Sequence, residues 1–241
     1  MFRFPPLTPF VKRALIVFAA AFVLELALIH GAGLRGLELL LALNPSFGLS
    51  TLWQLFTHPF LQLDGRPGLT SLVLSSLFFW WIVSPFELQY GVKRTAQLVV
   101  ASLFGAAIAA LLVGSLLGGA PLFGFHAATL GVIAAFAWSI RHRSSLSLFG
   151  AIEMKPQHVL ILLVGWSGLQ LYASGNVAGF AADLGAIGTG MLFIEQASRA
   201  AVRKRRPRKR KDSGARRRRN GLRVIEGEGQ GGSDEPPKWL N

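Results

Sequence analysis

The sequence predicts an all-α polytopic membrane protein: six spanning helices in one bundle, followed by a basic tail. Of its 241 residues 51% are hydrophobic and only 15% charged, less charge than a soluble domain of this size carries. The apolar residues gather into runs close to the roughly 20 that a helix needs to cross a hydrocarbon core. Period-two alternation is absent and Ala, Leu and Gly dominate, which argues against strands.

The first run, Ala14–His30, could pass for a secretory signal, with Gly31–Gly33 imitating a cleavage site. It is interrupted by Glu25, resumes to Ile29 and is followed by five more runs, so it reads as a retained helix. The others are Gly68–Val83, after a loop rich in Gly and Pro, then Thr95–Leu117, Leu122–Ile140, the short His158–Leu171 and Asn176–Ile194. With six spans, Arg3, Lys12 and Arg13, then Lys93 and Arg94, then Arg141, Arg143 and Lys155, all fall on one side together with the tail. The other side holds only Arg35 and Arg66. The positive-inside rule places both termini in the cytoplasm, at the inner or plasma membrane if the cell is bacterial. There is no cysteine, which excludes disulfides, thiol catalysis and thiolate metal sites, and no internal repeat.

Composition divides the chain into a membrane domain, 1–198, and a tail, 199–241, expected to be disordered. Arg199–Arg219 carries 13 Lys or Arg against the single acid Asp212, a block that cannot build a core. Its expected role is to stop translocation and to hold Arg203–Arg219 against anionic headgroups, at about 1 kcal/mol per basic residue. Nucleic acid is disfavoured as a partner, because no aromatic residues interleave to stack on bases. The chain ends SDEPPKWLN, Ser233–Asn241, which looks like a short docking motif.

Two ionisable residues lie within apolar runs, His126 in the fourth and Asp183 in the sixth. Such a group at bilayer depth costs several kcal/mol unless it is paired or faces water, so it marks a functional site or a polar pair that fixes helix register. A metal site from His126, Asp183 and His58 has no recognisable spacing, and neither metal nor cofactor is expected.

The loop TLWQLFTHPFLQL, Thr51–Leu63, gives Trp-x-Leu-x-Thr-x-x-Phe-Leu. A helix comes next, then Glu87-x-x-x-Gly91 and the basic pair Lys93–Arg94. Beyond them lie GFHAATLG, Gly124–Gly131, and ADLGAIGTG, Ala182–Gly190. This ordered set, over about residues 10–198, resembles the rhomboid family of intramembrane serine proteases. The resemblance implies a six-helix bundle in which a Ser on the fourth helix is activated by a His on the sixth, with a His and an Asn on the second helix holding the oxyanion. In this chain the nucleophile position is His126, the base position Asp183, and the oxyanion positions Ser71 and Ser75. The Gly after the nucleophile is Ala127, and the Arg usual after the loop Trp is Gln54.

Acyl transfer needs a nucleophile beside a base and donors aimed at the oxyanion. With no hydroxyl at the nucleophile position, the resemblance implies a pseudoprotease that binds transmembrane clients without cutting them. One alternative is an active endopeptidase with a rearranged triad, Ser71 or Ser75 with His126 and Asp183; against it, a Ser in an apolar helix more often bonds its own i−4 carbonyl. The other is a membrane anchor acting through its tail. Structural roles fall to Trp53 and His58 in the outward loop, to Gly124, and to Glu87, expected to bond loop backbone. Gly185, Gly188 and Gly190 are expected to permit close helix packing, and Phe78–Trp81 to join an interfacial aromatic belt.

Overall fold

The computed structural model describes residues 5–34, 36–45, 52–62, 68–141, 146–148 and 152–205. The helices in chain order are α1 (Pro9–Leu26), the short α2 (Leu37–Leu41) and α3 (Gln54–Thr57), then α4 (Gly68–Tyr90), α5 (Val92–Leu117), α6 (His126–Ser139), α7 (Pro156–Ser174) and α8 (Val177–Arg205). The six of them that have 14 or more residues occupy the six predicted runs. Three of these, α4, α5 and α8, are long and apolar enough on their own to cross a membrane. The chain divides into two compact units, Met1–Val202 and Arg203–Asn241. Residues 206–241, with most of the basic block and the PPKWLN end, lie outside the described residues, as do Arg3, Arg35, Arg66 and Arg143.

Helix α1 starts at Thr8–Pro9, with Pro at the first helical position, where a missing N–H costs nothing. Its first-turn amides are capped by a distant carboxylate: Glu87 near the end of α4 accepts from Phe10 N (2.9 Å) and Val11 N (3.2 Å), and from the Thr8 hydroxyl. Glu87 was expected to bond loop backbone; it binds the start of another helix instead. One buried carboxylate thereby fixes α1 against α4.

Helix α6 is the centre of the bundle. Nine of its 14 residues are buried, and α4, α5 and α7 all pack on it. At about 1.5 Å per residue it is roughly 20 Å long, short of a ~30 Å hydrocarbon core, so it starts inside the bundle. Its approach to α8 and α5 depends on glycine: a Cβ at Gly131 would strike the Ser102 side chain, and one at Gly190 the Gly131 carbonyl. A Cβ at Gly185 would likewise strike the Gly105 carbonyl on α5. Gly188, grouped with these from the sequence, has open space beside it, so close packing does not explain it.

Three details go beyond the sequence reading. Leu146–Leu148 and Ile152–Met154 form an antiparallel pair in the loop between α6 and α7, too short for a periodicity to register. Phe78–Trp81 lies halfway along the 23-residue α4. There Phe79 is fully buried, edge-on to Phe18 (5.8 Å) and Phe125 (5.5 Å), which stack on each other at 3.9 Å. Finally, α8 runs on to Arg205, into the segment expected to be disordered. Ala and Lys/Arg are good helix formers, and cations favour a helix C-terminus.

A candidate site around His126 and Asp183

His126 is the first residue of α6, not a mid-helix residue as the apolar run suggested. The four residues before it are held out of the helix by contacts distant in sequence. Leu122 exchanges both backbone hydrogen bonds with Leu43, at 2.9 and 2.8 Å. Gly124 sits at φ +84, a conformation that favours glycine, and its amide donates to the His58 carbonyl at 2.9 Å. These ties connect the approach to His126 with the first loop.

That loop is itself tied down by side chains. Trp53 Nε1 donates to Leu40 O (2.8 Å), and Thr57 Oγ1 to Leu41 O (2.8 Å). Gln54, at the position where the family has Arg, is buried; it accepts from Asn44 N and donates to the Leu39 and Leu40 carbonyls. His58 is buried with Nδ1 donating to Gln54 O at 2.9 Å. Burial lowers its pKa, against the raising effect of its backbone hydrogen bonds, so the ring is held in its neutral form. His58 therefore serves the loop; among the described residues no three metal-binding side chains cluster.

Asp183 lies in the second turn of α8, buried among Ala182 and Ala186. The two residues meet as expected: His126 Nε2 is 2.9 Å from Asp183 Oδ1, with the His side chain 55% exposed and that of Asp 7%. The approach is off the N–H direction, and among the described residues Oδ1 has no aligned donor. The contact is thus an electrostatic one at hydrogen-bonding distance, and poor alignment of this kind is common for site residues without ligand.

All four positions carried over from the resemblance open onto one cavity of about 360 Å³, lined by Ser71, Ser75, His126 and Asp183 among others. The first two come from the start of α4. Among the described residues neither hydroxyl is bonded to His126, and Ser75 does not make the expected i−4 back-bond to the Ser71 carbonyl; the i−4 residue of Ser71, Pro67, lies outside the described residues. Ala127, where the family has Gly, is buried in a small alanine cluster with Ala106, Ala110, Ala182 and Ala186.

Two site residues escaped the sequence reading. Gln62 is 3% exposed and lines the cavity, and its Nε2 has no acceptor among the described residues. Its backbone N–H is held by Glu25 of α1 at 3.1 Å. A neutral amide within an apolar loop run was the signal. Asn176 also lines the cavity. Its Oδ1 accepts from Gly179 N, capping α8, and from Ala120 N, both at 3.1 Å. Asn at the start of an apolar run is a cap signal.

No curated protein matches the chain closely enough to count as a relative. The family model described as Rhomboid domain matches residues 49–198, more than half of the chain. That span contains the first-loop anchors and all four cavity positions, and on this ground the chain belongs to the rhomboid family.

Proposed function

We propose that this integral membrane protein is a rhomboid-family pseudoprotease, which holds a transmembrane segment of another membrane protein without cleaving it. The observation that carries this is the His126–Asp183 contact at the wall of the cavity. Base and carboxylate stand where the family has nucleophile and base, and no hydroxyl is bonded to the imidazole. A client helix would lie along α7, whose Ile161, Leu162, Trp166 and Leu169 are all more than half exposed on the protein. Basic residues place both termini in the cytoplasm, and the tail rests on anionic headgroups.

Single-pass reporter substrates co-expressed with the chain should remain uncut and should co-purify with it. A serine-directed fluorophosphonate should label neither Ser71 nor Ser75.

A second reading has one observation in its favour: Ser71 and Ser75 share the cavity with His126. It is an endopeptidase with a rearranged triad. Reporter cleavage that disappears on Ser71→Ala or Ser75→Ala would establish it and overturn the first. A reporter at Asn241 active only on the outer face would reverse the orientation.

A further inference from the structure

The wall of the cavity carries formal charge of one sign. With His counted as neutral, Asp183 gives it −1, and no Lys or Arg is among the lining residues of a chain whose net charge is +13. The rest of the wall is neutral and polar, as at Gln170, Ser174 and Asn176, or aromatic, as at the half-buried Phe123 and Phe180. Asp183 itself is 5% exposed. Its Oδ1 is covered, with His126 Nε2 2.9 Å away, whereas Oδ2 is neither hydrogen-bonded nor enclosed among the described residues. A carboxylate withdrawn from bulk water is costly unless a cation meets it. Where the family has an imidazole, this chain thus presents an anion with one oxygen open.

The cavity is also placed beside the client path. Its lining comes from the starts of α4 and α6, the last turn of α7 and the first two turns of α8. It therefore lies at the end of the bundle where α7 passes into α8. Asp183 is six residues beyond Val177, about 9 Å along α8 at about 1.5 Å per residue. A transmembrane segment lying along α7 would pass Gln170 and Ser174, both in the cavity wall, close to its own end.

We infer that the preferred clients carry a Lys or Arg within about two turns of that end of their transmembrane segment, and that its cationic group enters the cavity to meet Asp183. The inference rests on the client reading and names the chemical class of client. A basic residue within a transmembrane segment is itself costly in lipid, and its long side chain can carry the charge sideways off the helix. Each protein then holds an ion that lipid cannot satisfy, and contact satisfies both. Phenyl rings accept ammonium and guanidinium groups on their faces, and a wall without Lys or Arg does not repel them. An acidic residue at the same place would meet a carboxylate, so the site selects by rejection as well as by attraction.

The test co-expresses the full chain with single-pass reporters of one apolar sequence, differing only in a Leu, Lys or Glu two turns from that end. Recovery of the Lys reporter with the chain should exceed that of the Leu reporter roughly tenfold, and the Glu reporter should fall below both. Lys moved to the opposite end should lose the advantage. With Asp183→Asn, nearly equal in size and uncharged, the ratio of Lys to Leu recovery should fall to about one. If Asp183→Asn does not fold, Asp183→Ser takes its place. A ratio unchanged by the Asp183 variant overturns the inference. Equal recovery of Lys and Leu reporters with wild type also overturns it, but leaves the client reading standing if both exceed an unrelated membrane protein. Recovery of none overturns both. n-Butylammonium chloride added to the purified protein separates a client side chain from a free amine. Thermal stabilisation that Asp183→Asn abolishes, together with equal Lys and Leu recovery, assigns the cavity to free amines and overturns the client as source.

Discussion

Helices α6 and α7 pack side by side and both are apolar all round, yet nine of 14 residues are buried in one and three of 19 in the other. The difference lies in the size of the side chains. Around α6 the contacts are made by Ala and Gly: Ala127, Ala128, Gly131, Ala134 and Ala135 are buried against neighbours that are often Ala or Gly themselves. On α7 Val159 and Ser167 are buried and Leu160 and Leu163 pack partly buried against Leu130 and Ala134, while Ile161, Leu162, Trp166 and Leu169 stay exposed on the protein surface. Lipid chains are as apolar as Leu, so large apolar residues gain little by turning inward in a membrane. Close backbone approach of small residues is what holds helices together there. The fixed helix carries His126; the loosely held one offers only Gln170, Leu171 and Ser174 to the cavity.

The largest effect expected from this contrast is at the glycines. Gly131→Val would drive a branched side chain into Ser102 and the Ala186 carbonyl, with backbone on one side that cannot move away. Overpacking costs of about 1–3 kcal/mol, and more where backbone must shift, put this variant at the upper end or beyond it. Gly165→Val on α7 meets nothing within 4 Å and should lie within about 0.5 kcal/mol of wild type. Thermal unfolding of the purified proteins in one detergent measures both. Equal losses at the two positions would dissolve the distinction between a fixed and a loose helix.

An intermediate effect is expected where α6 meets α8 through His126 and Asp183. Breaking a buried pair costs about 3–5 kcal/mol because one charge is stranded, but His126 is about half exposed, so solvent reduces this to about 1–2 kcal/mol. The two partners should differ. His126→Ala strands a carboxylate that is 7% exposed, whereas Asp183→Ala leaves a ring that water can reach. His126→Ala should therefore cost more than Asp183→Ala, and the double replacement less than the sum of the two. A double-mutant cycle on unfolding free energies decides it, and additivity would show that the contact carries no coupling.

Legibility in the sequence tracks the range of the interactions. The six long helices were legible, because each is a local apolar run. Both members of the polar pair were visible because an ionisable residue is conspicuous in such a run. The start of α6 was not: Leu122–Phe125 is as apolar as the helix it leads into, and only pairing with Leu43 and His58, far away in the chain, holds it outside that helix. For the same reason the sequence did not show that Phe79 belongs to an aromatic core shared with Phe18 and Phe125. Gly188 shows the converse limit. Its neighbours Gly185 and Gly190 face backbone and it faces open space, a difference of helical phase that composition does not contain.

The smallest effect on stability, and the one that sharpens the comparison most, is expected on the outer face of α7. Trp166 is 57% exposed and Ile161 66% exposed. Trp166→Ala exchanges indole–lipid contact for lipid contact of a smaller side chain, leaves no cavity in the protein, and should shift unfolding by less than about 0.5 kcal/mol. If a client helix lies along this face, the same change removes a large aromatic contact from the client interface, where such residues carry much of the binding energy. Trp166→Ala should then lower recovery of a co-expressed single-pass client several-fold while its unfolding curve overlays that of wild type. An equally exposed apolar residue on another helix, Leu112 on α5 at 64%, serves as control, and Leu112→Ala should leave recovery unchanged. Equal recovery with all three proteins would mean that the exposed face of α7 meets only lipid, and that its loose packing has no part in holding a client.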